Sequence, residues 1–389
     1  MSHHFDLIHP EVTQDETPDE TPAAAVIRAM DISDVHCFAG PSDEDGPRTV
    51  IGMNASPQFF TPDSDPWNPP TGPYATLYEL KLDLNDDFVE DITWRFTFSP
   101  PDSTGAQYVQ VAQLTGADAT NRNAHGTIIT PPNAPVGEVL CVGDGIKIFA
   151  GERLDSFFTD VRVPKRMRDV LPPDAAVQFN PNPDLPGLAP FTDFFAGQLV
   201  RLVMVELPAG ITGPDPIQCW GSTAILDKGH GVWRQIQRAA GPDVSVVFDN
   251  GGAPYLETIN STGPSADLAG RPANPATDPA RGVWGTVRDQ VATVVKAMGT
   301  YGKGKNGQRT PMAYGAFVAD TFLPNVLRFT PGTTALWDPW NGVRNGKGLS
   351  EELASNFARM VTNTDFTTGL TQQGRLLDHF PYLAPPPGS

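Results

Sequence analysis

About every fifth position in this chain is glycine or proline, with 37 glycines and 40 prolines among 389 residues. Proline removes a backbone donor and fixes φ, and glycine loses the most conformational freedom on folding, so a chain this rich in both seldom sustains a long helix. No Gly-X-Y period accompanies them, which excludes collagen. Hydrophobic residues make up 39% of the chain and include 21 Phe, 7 Trp and 7 Tyr, enough apolar surface to argue against wholesale disorder. Short extended segments joined by turns satisfy both facts. The expected fold class is mostly β: a large β-sandwich-like or multi-sheet body with a few C-terminal helices packed on it.

Alternation of apolar and polar residues marks the strands. LYELKLDL (77–84) and ITWRFTF (92–98) alternate cleanly and are close enough to form a hairpin. Further strands are expected at 26–38, 49–54, 108–114, 126–130, 139–141, 146–150, 199–207, 217–226, 231–238, 244–248 and 255–259. Beyond about residue 265 the period changes. Asp278-Pro279 is a helix-start pair, and Val283, Val287, Val291, Val294 and Met298 then recur at helical spacing until Gly299. Two more helices are expected, one over 314–325 and one starting at a Ser350 cap with Glu351 and Glu352 in its first turn. These helices are too few for a core of their own. The chain therefore reads as one large unit over 1–389: a tip and acidic tether (1–24), a β body (25–262) and a helix-containing part (263–389).

The formal charge of −18 repels phosphate, which disfavours nucleic acid and anionic membrane surfaces as partners. Cys37, Cys141 and Cys219 are odd in number and far apart, unlike a disulfide framework. The opening MSHHFDLIHP has no apolar stretch of the signal-peptide kind, and no apolar run is long enough to span a bilayer. A cytoplasmic protein acting on a small-molecule substrate is the expectation.

Several phrases, taken together and in order, resemble a known family. They are SHHFD at the start, DISDVHCF (31–38), the hairpin LYELKLDLNDDFVEDITWRFTF (77–98), GDGIKIFAGERLDSFFTDV (143–161), LPNVLRFTPG (323–332), NGVRNGKGLSEEL (341–353) and FPYLAPP (380–386). The order resembles the bacterial domain-of-unknown-function family 4331 over nearly the whole chain. What the resemblance implies is architecture more than activity. His36 stands where the family has a tyrosine-containing strand, and Asp86 stands near a loop position that is usually glycine.

The chemistry-bearing residues fall into a few clusters. If Met1 is removed, the chain begins Ser2-His3-His4, whose amine, backbone amides and third-position imidazole form a square-planar nitrogen set for copper or nickel. Alternatively, His3 and His4 join Asp6 around zinc, iron or manganese. An unstructured tip is the plain alternative. Asp34 and His36 share one face of a strand, with Asp31 reaching it only through a turn. A carboxylate beside an imidazole can orient it as a ligand or a base, while turn chemistry and a surface histidine are the ordinary reading. Asp83, Asn85, Asp87 and Asp91 match four calcium-loop positions, but Phe88 replaces the glycine and Trp94 the final carboxylate, so a hairpin turn with solvated acids is favoured. Arg153 and Asp155 are two apart and could pair on a strand, as an anion holder walled by Phe157 and Phe158 or as a structural ion pair. The Gly- and Lys-rich loops at 302–309 and 341–348 lack the Walker pattern and read as surface turns. No GxSxG, HExxH or helix-opening GxGxxG is present.

The function these clusters imply is metal binding, with a metal-dependent oxidoreductase as the reaction class. His36, Arg153 and Asp155 would be the catalytic groups, and His3, His4, Asp6, Asp31 and Asp34 the ligands of copper, iron, manganese or zinc. The alternative is a non-catalytic binding or scaffold protein with an apolar groove. Untagged protein whose N-terminus has been read by mass spectrometry is expected to carry a transition metal by elemental analysis. A metal-free preparation that also ignores added copper, iron, manganese and zinc removes the metal reading.

Overall fold

A computed structural model describes residues 30, 32–44, 46–55, 74–160, 190–227, 232–240, 275 and 283–388. Within them, fifteen strands form two antiparallel sheets and a small hairpin. The first sheet runs β8 (Val139–Cys141), β9 (Lys147–Leu154), β10 (Leu199–Pro208), β2 (Gly46–Ala55), β1 (Ile32–Asp43), with β1 at the edge. The second runs β12 (Val232–Ala239), β11 (Ile217–Asp227), β3 (Tyr74–Asp83), β4 (Ile92–Phe98), β5 (Tyr108–Thr115), β6 (Thr127–Ile128). Here β7 (Ala134–Pro135) pairs with β5, and β13 (Leu327–Phe329) pairs with β11. β14 (Leu336–Asp338) and β15 (Val343–Asn345) make the separate hairpin. The mostly β expectation holds, and the expected strands at 244–248 and 255–259 lie outside the described residues.

The two sheets bury their inner faces together. Val35, Cys37, Ile51 and Met53 of the first share one core with Tyr78, Leu80, Trp94 and Phe96 of the second. The approach is close at Gly221, where a Cβ would come within 2.5 Å of Met53 Sδ and 3.3 Å of a Val35 methyl. The Cys37 and Cys219 thiols meet across this interface, and burial together with that contact pushes the Cys37 thiol well above its ordinary range. Cys141, on the short strand β8, is exposed.

Among the described residues the α-helices are α1 (Ala209–Thr212), a single turn, then α2 (Val283–Met298), α3 (Pro311–Phe322) and α4 (Leu353–Thr362), and the expected Asp278-Pro279 start of α2 lies outside them. α3 starts three residues before the expected 314 because Thr310 caps it, accepting from Ala313 N at 3.1 Å, and Pro311 fits the first helical position. Gly315 does not weaken this helix so much as let it approach α2: a Cβ there would sit 2.1 Å from the Arg288 carbonyl oxygen. α4 begins at Leu353, not Ser350. Its Leu353, Phe357, Met360 and Val361 enter the core shared with the sheets. No helix among the described residues is long and apolar enough to cross a membrane.

The outer face of the second sheet is buried as well, beneath the 116–126 connection, and it is charged. Arg95 on β4 gives Nε and Nη2 to Glu79 Oε1 of β3 at 3.0 and 2.9 Å, while Ser222 and Arg122 reach Oε2 at 3.0 and 3.4 Å. Lys81 pairs with both Glu79 and Glu90. Arg95 Nη1 also donates to the Ala124 carbonyl at 2.7 Å, tying the covering loop down. Burial alone would raise the Glu79 carboxyl. Lys81, Arg122, Arg95 and the Ser222 hydroxyl outweigh it and hold it at about 2. The acids of the 83–91 loop act as turn caps: Asp83 accepts the amides of Asn85, Asp86 and Phe88 at 2.8–2.9 Å, so it is buried and engaged, not solvated.

A carboxyl held below its unfolded value contributes stability that is present above about pH 4.5 and is lost as pH falls toward 2. Glu79→Gln is expected to lower stability at neutral pH by about 3–5 kcal/mol, because it leaves buried cations uncompensated. It should also flatten the acid limb of the stability–pH curve. Chemical denaturation across that range checks both, and a variant as stable as the parent contradicts the cluster.

Candidate functional site

The outer face of the first sheet holds the residues that the sequence singled out on β1. Alternation puts Val35 and Cys37 inward, leaving Asp34 and His36 on the other side. Both are 1% exposed, because the C-terminal part of the chain lies over them. That covering strap begins at the 345–348 turn, NGKG. Gly346 has φ +70°, and a Cβ on it would stand 2.3 Å from the Cys37 carbonyl oxygen, so the turn can press against β1 only with glycine here. Lys347 then pairs with the strand edge in both directions: Cys37 N donates to Lys347 O at 3.0 Å and Lys347 N to Cys37 O at 2.8 Å.

The Lys347 ammonium turns inward and forms an ion pair with Asp34, each side chain 1% exposed. His36 lies beside the pair, its Nδ1 3.4 Å from the Gly348 carbonyl oxygen and its Nε2 3.3 Å from Ser156 Oγ. Asn54 Nδ2 donates to the same Ser156 oxygen at 3.3 Å. Ser156 therefore accepts from Asn54 and donates to Nε2, which leaves the ring proton on Nδ1, aimed at Gly348. Burial first, and then the Lys347 ammonium, pull the His36 imidazole down to about 3, against the smaller opposing effects of Asp34 and the Gly348 carbonyl. The ring is neutral near pH 7, so this chain of hydrogen bonds is a fixed support for the 346–348 turn. Glu351 completes it, accepting from Gly348 N at 2.6 Å and Trp337 N at 2.9 Å.

Farther along the strap, Tyr382 caps a second buried charge cluster. Its hydroxyl donates to Glu206, which also takes Lys147 Nζ at 2.7 Å and lies 3.3 Å from Arg48 Nε. Gly40 of β1 makes room, since a Cβ there would sit 3.0 Å from the Tyr382 hydroxyl and 3.1 Å from Glu206 Oε2. Arg375 binds the carbonyls of Asp155 and Phe157 at 3.2 and 2.8 Å and pairs with Asp193. Between these two anchorages the strap leaves an open groove of about 400 Å³, lined by Phe38, Leu349, Leu376, Leu377 and Tyr382 and by the 332–335 segment.

The residues expected to form a metal site divide sharply. His3, His4, Asp6 and Asp31 lie outside the described residues. Asp34 and His36 are brought together as expected, yet the partner that Asp34 meets is the Lys347 ammonium. Among the described residues, no three or more His, Cys, Asp or Glu gather as a metal-binding group. Arg153 and Asp155 do not pair: Arg153 lies over the Phe149 ring at 4.0 Å and donates to the Glu152 carbonyl at 2.7 Å, while Asp155 accepts from Phe157 N at 2.9 Å. The reason is that β9 ends at Leu154, so the two-residue alternation does not carry to Asp155. Lys347, Ser156, Glu206 and Arg375 had no local motif, although a lysine between two glycines was a usable sign of a side chain sent far from its own turn.

Compared with protein-family models, curated proteins and solved structures, the chain matches none of them.

A histidine held neutral by folding contributes stability that is present above about pH 6.5 and lost as pH falls toward 3. The His36 ring is expected to show no NMR titration between pH 8 and pH 5, and a normal titration near 6.5 would contradict its enclosure.

Proposed function

We propose that this chain is a binding protein for a small, largely apolar molecule carrying one or two hydrogen-bonding groups, seated in the groove between the strap and the 332–335 segment. The observation that carries the reading is a groove whose apolar walls are anchored from beneath by buried ion pairs. A preformed site loses less ordering entropy on binding than one that must assemble. Its volume of about 400 Å³ lies within the range of small-ligand pockets. Phe38, Leu349, Leu376 and Leu377 supply the apolar contact. The hydroxyls of Thr334 and Ser350, which also line the groove, supply polar partners. The neutral His36 and the engaged Asp34 lie beneath the floor, where they position backbone and do not face the ligand. The metal-dependent reading stands on histidines outside the described residues and has no geometry to support it.

A neutral apolar fluorophore such as N-phenyl-1-naphthylamine tests this. Saturable binding at one site per chain is expected. Leu376 is 41% exposed, so Leu376→Asp should leave the thermal midpoint unchanged. It should weaken the probe about tenfold or more by placing a charge against the apolar ligand. Non-saturable binding, or an affinity that ignores Leu376→Asp, rejects the groove as the site.

A further inference from the structure

A second and smaller cavity, of about 110 Å³, opens where the C-terminal end of α3 meets β13 and β15. Two arginines line it, Arg328 from β13 and Arg344 from β15, in a chain whose formal charge is −18. Arg344 is fixed in place: its Nη1 donates to the Thr321 carbonyl at 2.9 Å, one of the carbonyls that the last turn of a helix leaves unpaired. Arg328 lies against the Phe88 ring, 5.7 Å from its centroid, and 3.4 Å from Asp86 Oδ1. Asp86 is 62% exposed, and a pair so wet neutralises little. Asp320 also lines the cavity, with its Oδ1 accepting from Trp284 Nε1 at 2.8 Å. Burial first, and then the neighbouring Arg328, lower the affinity of Arg344 for its proton. The remaining walls are apolar and include the stacked rings of Phe322 and Trp337, 5.8 Å apart, together with Leu323.

We propose that this cavity binds a small monocarboxylate, its two oxygens shared between Arg328 and Arg344 and its short apolar stub against Phe322, Trp337 and Leu323. A guanidinium presents paired donors that match a carboxylate, and a bound anion relieves the repulsion between the two cations. Phosphate would need donors on every side, which the apolar walls do not offer.

Titration of the full chain with sodium propionate, followed by amide NMR at constant ionic strength, tests the site, with sodium phosphate and sodium chloride as parallel arms. Propionate is expected to bind in the roughly millimolar range, as suits so few heavy atoms. Shifts should centre on residues 321–328 and 344. Arg328→Gln, whose ion-pair partner Asp86 is exposed, and Arg344→Gln should each weaken it about tenfold, with the thermal midpoint of Arg328→Gln nearly unchanged. The proposal is overturned if propionate causes no saturable shifts, if phosphate binds more tightly than propionate at these residues, or if folded Arg328→Gln binds propionate like the parent.

Discussion

A lysine and an aspartate, both sealed from water, join the two ends of this structure. Removing two charges from solvent costs several kcal/mol each, and their mutual attraction repays it only where the geometry is fixed by other bonds. Here the fixing is done by backbone: Lys347 pairs in both directions with Cys37, three residues along the strand from Asp34. The ion pair thus becomes the register pin of the strap on the edge of the first sheet. An unpaired edge strand invites association with other chains, and this turn also covers part of that edge. The groove lies between the 332–335 segment and the strap at Leu349, Leu376, Leu377 and Tyr382, and Lys347, Arg375 and Tyr382 hold those parts of the strap in place.

Both sheets carry charge on faces that a simple alternation would give to solvent. On the second sheet the Glu79 cluster lies under the 116–126 connection, and on the first the Glu206 cluster lies under the strap. In each case the long side chains come from the strands, while much of the cover is backbone from a connection or turn, with carbonyls such as those of Gly145 and Ala124 receiving guanidinium protons. Loops rich in glycine can press carbonyls close to a sheet where bulkier chains would not fit. The glycine content is therefore part of how this protein keeps charge buried, as well as what limits its helices.

The strands were the most legible part of the chain. The 92–98 pattern matched β4 residue for residue, because one of its faces meets the core in strict alternation. The expected bounds of α3 and the expected start of α4 fall within three residues of the observed ones, and the differences are informative. Glu351 and Glu352 looked like first-turn acids, but Glu351 is spent on the amides of Gly348 and Trp337, so α4 starts later. The pairing of Asp34 and His36 on one face followed from strand geometry alone. Their partner did not, since Lys347 lies more than 300 positions away and no local pattern records a long-range ion pair. Arg153 and Asp155 show the converse: a spacing of two puts side chains on one face only within a strand, and β9 stops at Leu154.

The three cysteines divide the molecule into an accessible and an inaccessible compartment. Cys141 is open to solvent on a short strand, whereas Cys37 and Cys219 face each other between the sheets, and only a thiolate reacts readily with an alkylating reagent. Lifting the strap would uncover the outer face of β1 but not its inner one. A reagent that labels one thiol per chain would therefore report an intact sandwich even when the groove has come apart. The second and third labels would clock the parting of the two sheets, which makes the protein its own stopwatch for that event.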